Sequence, residues 1–521
     1  MEYYVRTFFR FWFPIGVVGL TGVALAVFWA WPDESWGVAQ RNFVAVATGA
    51  MATLLLAIWF FFLSGLRWTV RLAGLLVLVG AAASVQKISY TGDMVPILTF
   101  RWERTRDDIL EEHRRQHVAD RAVAALEESA ESASDFPEYR NRKRDGVVSG
   151  PPLTRDWKTH PPKLLWQHPL GGGYSGFAVA GNAAVTLEQR RDWEAIVCYD
   201  TVTGRERWVH TYDAYFSEML GGDGPRATPT ISNGAVYSLG ATGWLVRLDL
   251  ATGREKWAVK ILDDEDNVRW GMSGSPLVFD VLVVVNPGVQ GKREKGQGLV
   301  AYHRRTREVK WSVGGTQAGF SSPMLANLAG RRQLLLLDGE EIAGHDPGTG
   351  EKLWRHPWKT EYGINVAQPL VLEGDRVFVS SGYGVGCALF AITESNGEWR
   401  VEQKWSNRNL KSKFASPVFY QGYIYGLDEG VLVCLDAQTG ERKWKANRYG
   451  HGQLLRYDDL LVILAESGKL ALVQATPDAS RELGSIPVFK DKTWNPFAIA
   501  GGKVYLRNDR EMACYDLAAP N

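Results

Sequence analysis

Three apolar runs open the chain. Phe11–Trp31 and Phe43–Leu63 are almost unbroken, and Val70–Val85 is shorter. Roughly 20 apolar residues at 1.5 Å each cross a hydrocarbon core, so the pattern predicts three transmembrane helices over about 11–31, 43–63 and 69–86. A removable signal sequence does not fit the first run, which is too long and is followed by FWAWPDE with no small-x-small cleavage site. Next, Glu103–Ala130 is rich in Glu, Arg and Ala with a thin apolar line (Ile109, Leu110, Val118, Val123, Leu126), the pattern of a mostly solvated helix. Ser129–Pro152 then reads as a linker with a basic cluster at Arg140–Arg144. From about residue 161 the period changes to short alternating runs bounded by Gly, Asn and Pro, which predicts strands and tight turns. The expected organisation is a membrane domain over 1–100, a charged connector over 101–160 and an all-β domain over 161–521.

The β region repeats itself. LDLATGREKW recurs as CYDTVTGRERW, GHDPGTGEKLW and CLDAQTGERKW, and the Trp series 208, 257, 311, 354, 405 and 444 is spaced roughly 40–55 residues apart. That period suits a four-stranded propeller blade and is too long for a 34-residue helical repeat. In each motif the Asp (Asp200, Asp249, Asp346, Asp436) is placed to accept turn amides. The Gly (Gly204, Gly253, Gly350, Gly440) supplies a positive φ. The Trp (Trp208, Trp257, Trp354, Trp444) has the area to wedge against a neighbouring blade. Seven units are followed by a short one, Phe497–Leu517, with three strands. The Trp-bearing strand Lys163–His168 has no blade of its own, and joining the two predicts an eight-bladed ring without free edges.

Charge adds little to this picture: 59 basic against 58 acidic residues give no global case for nucleic-acid binding. The four cysteines form no disulfide framework. Cys198, Cys434 and Cys514 recur in VCYD, VCLD and ACYD and read as one buried strand position. Basic residues in short loops matter more. Arg6 and Arg10 precede the first run, and Arg67 and Arg71 lie between the second and third. The connection 32–42 carries Asp33 and Glu34 against Arg41. Counting them puts the N-terminus in the cytoplasm, and three spans then put the β domain on the periplasmic side of a bacterial inner membrane.

The motif D-x-x-T-G-x-x-x-W and the blade starts SGSPLV, FSSPML and FASPVF resemble the repeat of PQQ-binding-like β-propeller proteins over about Pro162–Leu517. KRDGVVSG…PPKLLWQHPLGGGYSGFAVAGN looks like the entry segment of the membrane-anchored bacterial members, and TGDMVPILTFRW like their juxtamembrane stretch. The resemblance implies one of two functions, a PQQ-dependent dehydrogenase or a non-catalytic scaffold of the BamB type, and fold alone does not choose.

Chemistry is sparse. PQQ with Ca²⁺ would need convergent carboxylate and amide oxygens and aromatic stacking. The adjacent cysteine pair of the dehydrogenases is missing, Cys387 standing alone. GGGYSG (171–176) fits G-x-G-x-x-G but leads into another strand, so no helix N-terminus follows to hold a pyrophosphate. His113 and His117 at i, i+4 read as part of a solvated face.

Successive hairpins alternate faces, so the Thr-Gly turns share one face and the links between blades share the other with the mid-blade turns. That loop face would carry Tyr174, Arg190, Arg191, Trp270, Lys292, Arg293, Lys295, Trp358, Tyr362, Arg408, Lys411, Lys413, Tyr449, His451, Lys490, Lys492 and Trp494. Trp270, Tyr362, Arg408, His451 and Trp494 are its candidates for cofactor contact, and Asp263, Asp264 and Asp266 the weak candidates for a metal. The sequence favours a membrane-anchored periplasmic scaffold with a protein partner on the loop face. The alternative is a membrane-bound quinoprotein dehydrogenase feeding membrane quinone.

Overall fold

The structure, a computed structural model, describes residues 12–30, 37–116, 132–262, 269–288 and 298–519. The chain divides into two units, Met1–Arg104 and Thr105–Asn521. In the first unit, helices Phe13–Ala30 and Val38–Leu63 are long and apolar enough to cross a membrane, and neither is buried. The second widens into a π turn over Trp59–Leu63, whose carbonyls at Phe60 and Phe61 accept from Ser64 Oγ (2.7 Å) and Arg71 Nη1 (2.8 Å).

The third apolar helix corrects the expected count of spans. It covers only Trp68–Ser84, 17 residues and about 25 Å of rise, so two helices rather than three have the length of a span. At Val85 the sequence turns to a period of two, and strand Val85–Tyr90 pairs with Pro96–Phe100. Near the tip of this hairpin, Asp93 O accepts from Asn42 Nδ2 at the start of the second helix (2.8 Å). The tip thus lies by the start of the second helix, and Pro96–Phe100 runs back from it to Ser84, whose carbonyl accepts from Arg101 N (2.9 Å).

In the second unit, among the described residues, eight sheets form the propeller. The first blade is built of Ala178–Ala180, Ala183–Arg190, Trp193–Asp200 and Glu206–Asp213, hydrogen-bonded in chain order from inner to outer strand. Six more follow over 230–260, 277–313, 324–357, 370–407, 418–448 and 453–487. The eighth joins Ala498–Ala500, Lys503–Arg507 and Glu511–Asp516 to Lys163–Pro169 as its outer strand, so the ring closes through both ends of the domain, as the sequence predicts. Blades bury their faces against each other, and the apolar clusters lie between neighbouring sheets.

Each Thr-Gly turn has the same construction. Asp249 Oδ1 accepts from Thr252 N (3.1 Å) and Oγ1 (2.9 Å), and Asp200, Asp346 and Asp436 hold their turns likewise. Gly253 has φ +68°, and a Cβ there would lie 2.6 Å from the Trp208 ring of the preceding blade. The turn thus needs glycine for the backbone and for the close approach. Trp208 Nε1 then donates to Leu250 O (2.8 Å), and Trp166, Trp257, Trp311, Trp405 and Trp444 reach forward in the same way. Trp354 departs from the pattern, donating to Gln333 Oε1 within its own blade (2.7 Å). Blade three lacks both Asp and Gly yet keeps the geometry. His303 Nδ1 accepts from Thr306 N (3.2 Å), and Arg307 adopts the left-handed φ of +66°. Cys198, Cys434 and Cys514 each pair across the ladder with a staple Trp, and burial pushes their thiols up to about 12.

The seam between blades one and two holds a titratable group. Glu194 is fully buried, accepting from Tyr212 Oη (2.7 Å) and Ala241 N (3.0 Å), and burial raises its carboxyl from 4.5 to about 7. The folded state binds this proton more tightly than the unfolded chain. Its contribution to stability is therefore full below about pH 4.5 and lost as pH rises through about 7. Relative to Glu194→Gln, the wild type is expected to lose up to about 3 kcal/mol between pH 5 and pH 8. Urea unfolding of both proteins across that range checks it, and parallel pH profiles would contradict it.

Candidate functional site: an axial plug beneath an aromatic collar

A polar residue recurs where each inner strand begins, one before proline in most blades, and these residues lace the inner rim together. Gly176 N donates to Thr228 Oγ1 (3.2 Å), Thr228 N to Ser275 Oγ (3.0 Å), and Ser275 N to Ser322 Oγ (2.9 Å). Ser322 N continues to Gln368 Oε1 (3.2 Å) and Gln368 N to Ser416 Oγ (2.9 Å). Satisfying these buried amides through side chains leaves the neighbouring carbonyls of the rim pointing at the axis.

Those carbonyls are taken by residues 132–153, the stretch that reads as a linker in the sequence. Arg144 is 1% exposed and donates to Ser275 O (3.0 Å), Pro276 O (2.6 Å) and Pro323 O (2.8 Å), with Glu138 on its Nε (2.7 Å). Arg140, also buried, donates to Ser416 O (3.3 Å), Pro417 O (2.7 Å) and Leu454 O (3.0 Å), and burial holds its guanidinium below the ordinary value. One guanidinium thus bridges the inner strands of blades three and four, the other those of blades six and seven. No carboxylate or motif in the blades announces such ligands, because the acceptors are main chain. The available signal is two arginines four apart, flanked by Phe136 and Gly146, together with the recurrent polar residue before proline.

On the loop face the axis is collared by aromatic rings and cations. Trp494 packs on Tyr174 (5.5 Å) and Phe414 (4.9 Å), and Phe414 on His451 (5.5 Å). Lys492 Nζ lies 3.8 Å from the Trp494 centroid and 5.4 Å from that of Tyr174, while Lys413 lies over Tyr383 and Phe414. Arg226 joins Tyr174 to Phe216, and burial pushes its guanidinium down to about 10. Glu466 ties the collar to the main chain, accepting from Trp494 Nε1 (2.8 Å) and His451 N (3.0 Å).

Of the residues singled out in the sequence, Trp494 and His451 stand together with Tyr174, Lys413 and Lys492. Trp270 packs on Phe320 (6.0 Å) and Tyr362 on Tyr383 (6.3 Å), further around the face. Arg408 is exposed and joins none of these stacks; its carbonyl accepts from Lys411 Nζ (3.3 Å). Asp263, Asp264, Asp266, Lys292, Arg293, Lys295 and His117 lie outside the described residues. Phe216, Arg226, Tyr383 and Phe414 complete the collar without having been marked as binding residues by any motif.

Arg190 serves the blade-one to blade-eight seam instead. It pairs with Glu188 (2.9 Å) and Glu206 (2.9 Å), and Glu206 also takes Arg114 (3.1 Å) from helix Arg106–Gln116, which straps across the seam. Burial would raise the Glu188 carboxyl, but Arg190 and Arg507 beside it hold it below its usual range. Arg507, fully buried, spends its donors on Thr186, Leu187, Gly171 and Gly173, joining blade eight to blade one.

A tricyclic quinone with its cation needs roughly 300 Å³ or more of open pocket and several converging oxygens. The axial channel offers a cavity of about 10 Å³, lined by Phe136, Tyr139, Arg140, Phe177 and neighbours. The Arg140 guanidinium beside it is already committed to three carbonyls, so this cavity does not fit PQQ and Ca²⁺.

A solved BamB from Moraxella catarrhalis is similar to this chain at 15% identity and a TM-score of 0.50, covering 68% of this chain and 99% of that one. The quinohemoprotein alcohol dehydrogenase of Comamonas testosteroni is similar at 13% identity and 0.53, covering 78% and 84%. The enzyme ADHIIG of Pseudomonas putida HK5 is similar at 14% and 0.52, covering 75% and 81%. These likenesses are likenesses of fold. No curated protein sequence matches the chain. A family model described as outer membrane protein assembly factor BamB matches residues 158–273 and 265–446. These stretches run through more than half of the 521 residues, and the chain belongs to that family of PQQ-like repeat propellers.

Proposed function

We propose that this protein is a membrane-anchored, non-catalytic interaction scaffold whose loop face holds a protein partner. The observation that carries the reading is the division of labour along the axis. The channel is filled by the chain's own residues 132–153, whereas the collar above it gathers Trp494, Phe414, Tyr174 and their lysines from loops that do not repeat. Aromatic side chains and arginine, here Trp494, Phe414, Tyr174 and Arg226, are enriched in protein-contact patches. The anchor is the pair of apolar helices, and the basic residues flanking them favour a cytoplasmic N-terminus in a bacterial inner membrane. Two spans alone would return the chain to the cytoplasm. A propeller on the periplasmic side therefore requires Trp68–Ser84 and its hairpin to carry the chain back across, and the return of the hairpin tip to Asn42 favours that.

Two experiments test this. A photo-crosslinking residue at Tyr362 on the loop face is expected to trap a discrete protein partner, and one at Thr252 on the opposite face is not. Titration of the purified full chain with PQQ and Ca²⁺ is expected to leave its melting temperature and the cofactor spectrum unchanged. Saturable binding with substrate-dependent dye reduction would replace the scaffold reading with the dehydrogenase one. For topology, a periplasm-dependent reporter fused after Asn521 is expected to be active, and activity of a cytoplasm-only reporter there would reverse the assignment.

A further inference from the structure

We infer that the axial channel of the propeller is a peptide-binding site and that residues 132–153 are its ligand, held in cis. The segment is built as an inserted knob. Its entry lies among the inner hairpin tips, where Gly501 N donates to Ser134 O (3.2 Å) and Gly181 N to Asp135 Oδ1 (3.0 Å). It leaves by the same face, where Tyr457 Oη donates to Pro151 O (2.7 Å) and Thr154 N to Leu517 O (2.9 Å). Between these points it makes the contacts by which sheets recognise extended peptides. Phe136 and Val179 exchange both main-chain bonds (2.9 and 2.8 Å), Ile231 N donates to Pro137 O (2.8 Å), and Val147–Val148 runs parallel to Arg456–Tyr457. Inner strands of blades one, two and seven, which would otherwise present open edges to the channel, are completed by this one segment.

Anchors sit where a bound peptide would have them. Phe136 is 1% exposed beside Phe177 and Phe497, and Arg140 and Arg144 read main-chain carbonyls on opposite sides of the rim. The knob is also organised from within. Asn141 Nδ2 donates to Val147 O (2.9 Å), Asp145 Oδ1 accepts from Val147 N (3.0 Å), and Glu138 holds Arg144. Three non-glycine residues, Arg140, Asn141 and Arg144, adopt left-handed φ of +57°, +69° and +55°, a cost retained where surrounding contacts over-determine it. At Gly146 (φ +75°) a Cβ would meet the Arg140 guanidinium, so the fold of the knob and the placement of its anchor depend on each other. While the knob is seated, the channel is closed to any other peptide.

The test cuts the full-length protein on both sides of the knob, at specific-protease sites inserted after Ala130 and before His160, and follows the fragment by size exclusion under native conditions. Retention of the fragment on the folded propeller is the expected result; its release from the cut protein carrying the wild-type knob would overturn the inference. In the doubly substituted Arg140→Gln, Arg144→Gln protein the fragment is expected to leave at least about 10-fold faster, since both central anchors are removed. Should that protein fail to fold, Arg144→Lys keeps the charge without the forked donors and is expected to accelerate loss in the same direction. Equal retention in wild type and variants would overturn the assignment of the arginines as anchors. A labelled synthetic peptide of residues 132–153 is expected to exchange into the cut protein, and a version with both arginines replaced by glutamine is not.

Discussion

Arg144→Ala is expected to destabilise the propeller by about 3–5 kcal/mol, the largest loss for any single residue of the axis. The guanidinium lies in a site with 1% exposure and satisfies three main-chain carbonyls from two blades, so its removal leaves those acceptors without water or donor. Glu138, whose carboxylate sits 2.7 Å from Arg144 Nε, would lose that partner as well. Uncompensated buried charge is what makes breaking such a pair expensive, whatever the pair itself contributes. Arg144→Lys is expected to fall between, because an ammonium reaches one or two of these oxygens but not all. Denaturant unfolding of the detergent-solubilised full chain measures both, and a loss below about 0.5 kcal/mol for the alanine variant would show that the axis is not held as described.

Trp311→Ala is expected to cost a similar amount, about 3–5 kcal/mol, by opening the seam between blades three and four. The indole is nearly buried in the cluster of Leu277, Val284, Leu334 and Leu336, and its ring lies where a Cβ on Gly350 would stand. Its N–H also donates to Pro347 O (3.2 Å), so the next blade's turn loses a partner. Trp311→Phe, which keeps most of the area and drops the donor, is expected to lose about 1–2 kcal/mol. The comparison with Trp354→Phe isolates the role of reach, since Trp354 bonds Gln333 within its own sheet. If the two phenylalanine variants unfold alike under the same denaturant series, the forward reach adds nothing.

The ring and its closure were legible because the turn chemistry repeats. Asp, Gly and Trp recur at fixed offsets, and an orphan strand stands at one end where the other end lacks one. Even blade three, with His303 and Arg307 in place of Asp and Gly, follows from its neighbours. The third apolar run was placed within two residues of its helix, 69–86 against Trp68–Ser84, and the error lay in counting a helix of 17 residues as a full span. The collar was legible only as a list: loops place Trp494, Phe414 and Tyr174 together through long-range packing, and the sequence holds no record of that adjacency. Arg408 shows the limit, a basic residue in the right loop that reaches none of the rings. The plug was illegible for a sharper reason. Hydrophobic patterning reports side chains that seek each other, whereas Arg140 and Arg144 seek peptide carbonyls, which every residue supplies.

Closing the ring with Lys163–Pro169 has a consequence for synthesis. The strand leaves the ribosome before any of its blade, and its partner Glu511–Asp516 follows some 350 residues later. At 5–20 residues per second that is a wait on the order of 20–70 s. Throughout that interval the nascent chain is an open arc with two unpaired edges. Residues 132–153, already made, can meet the inner strands of blades one and two as these emerge. The order of the gene thus puts the mould before the cast, and a circular permutant that moved this stretch to the C-terminus would have to build its arc around an empty centre.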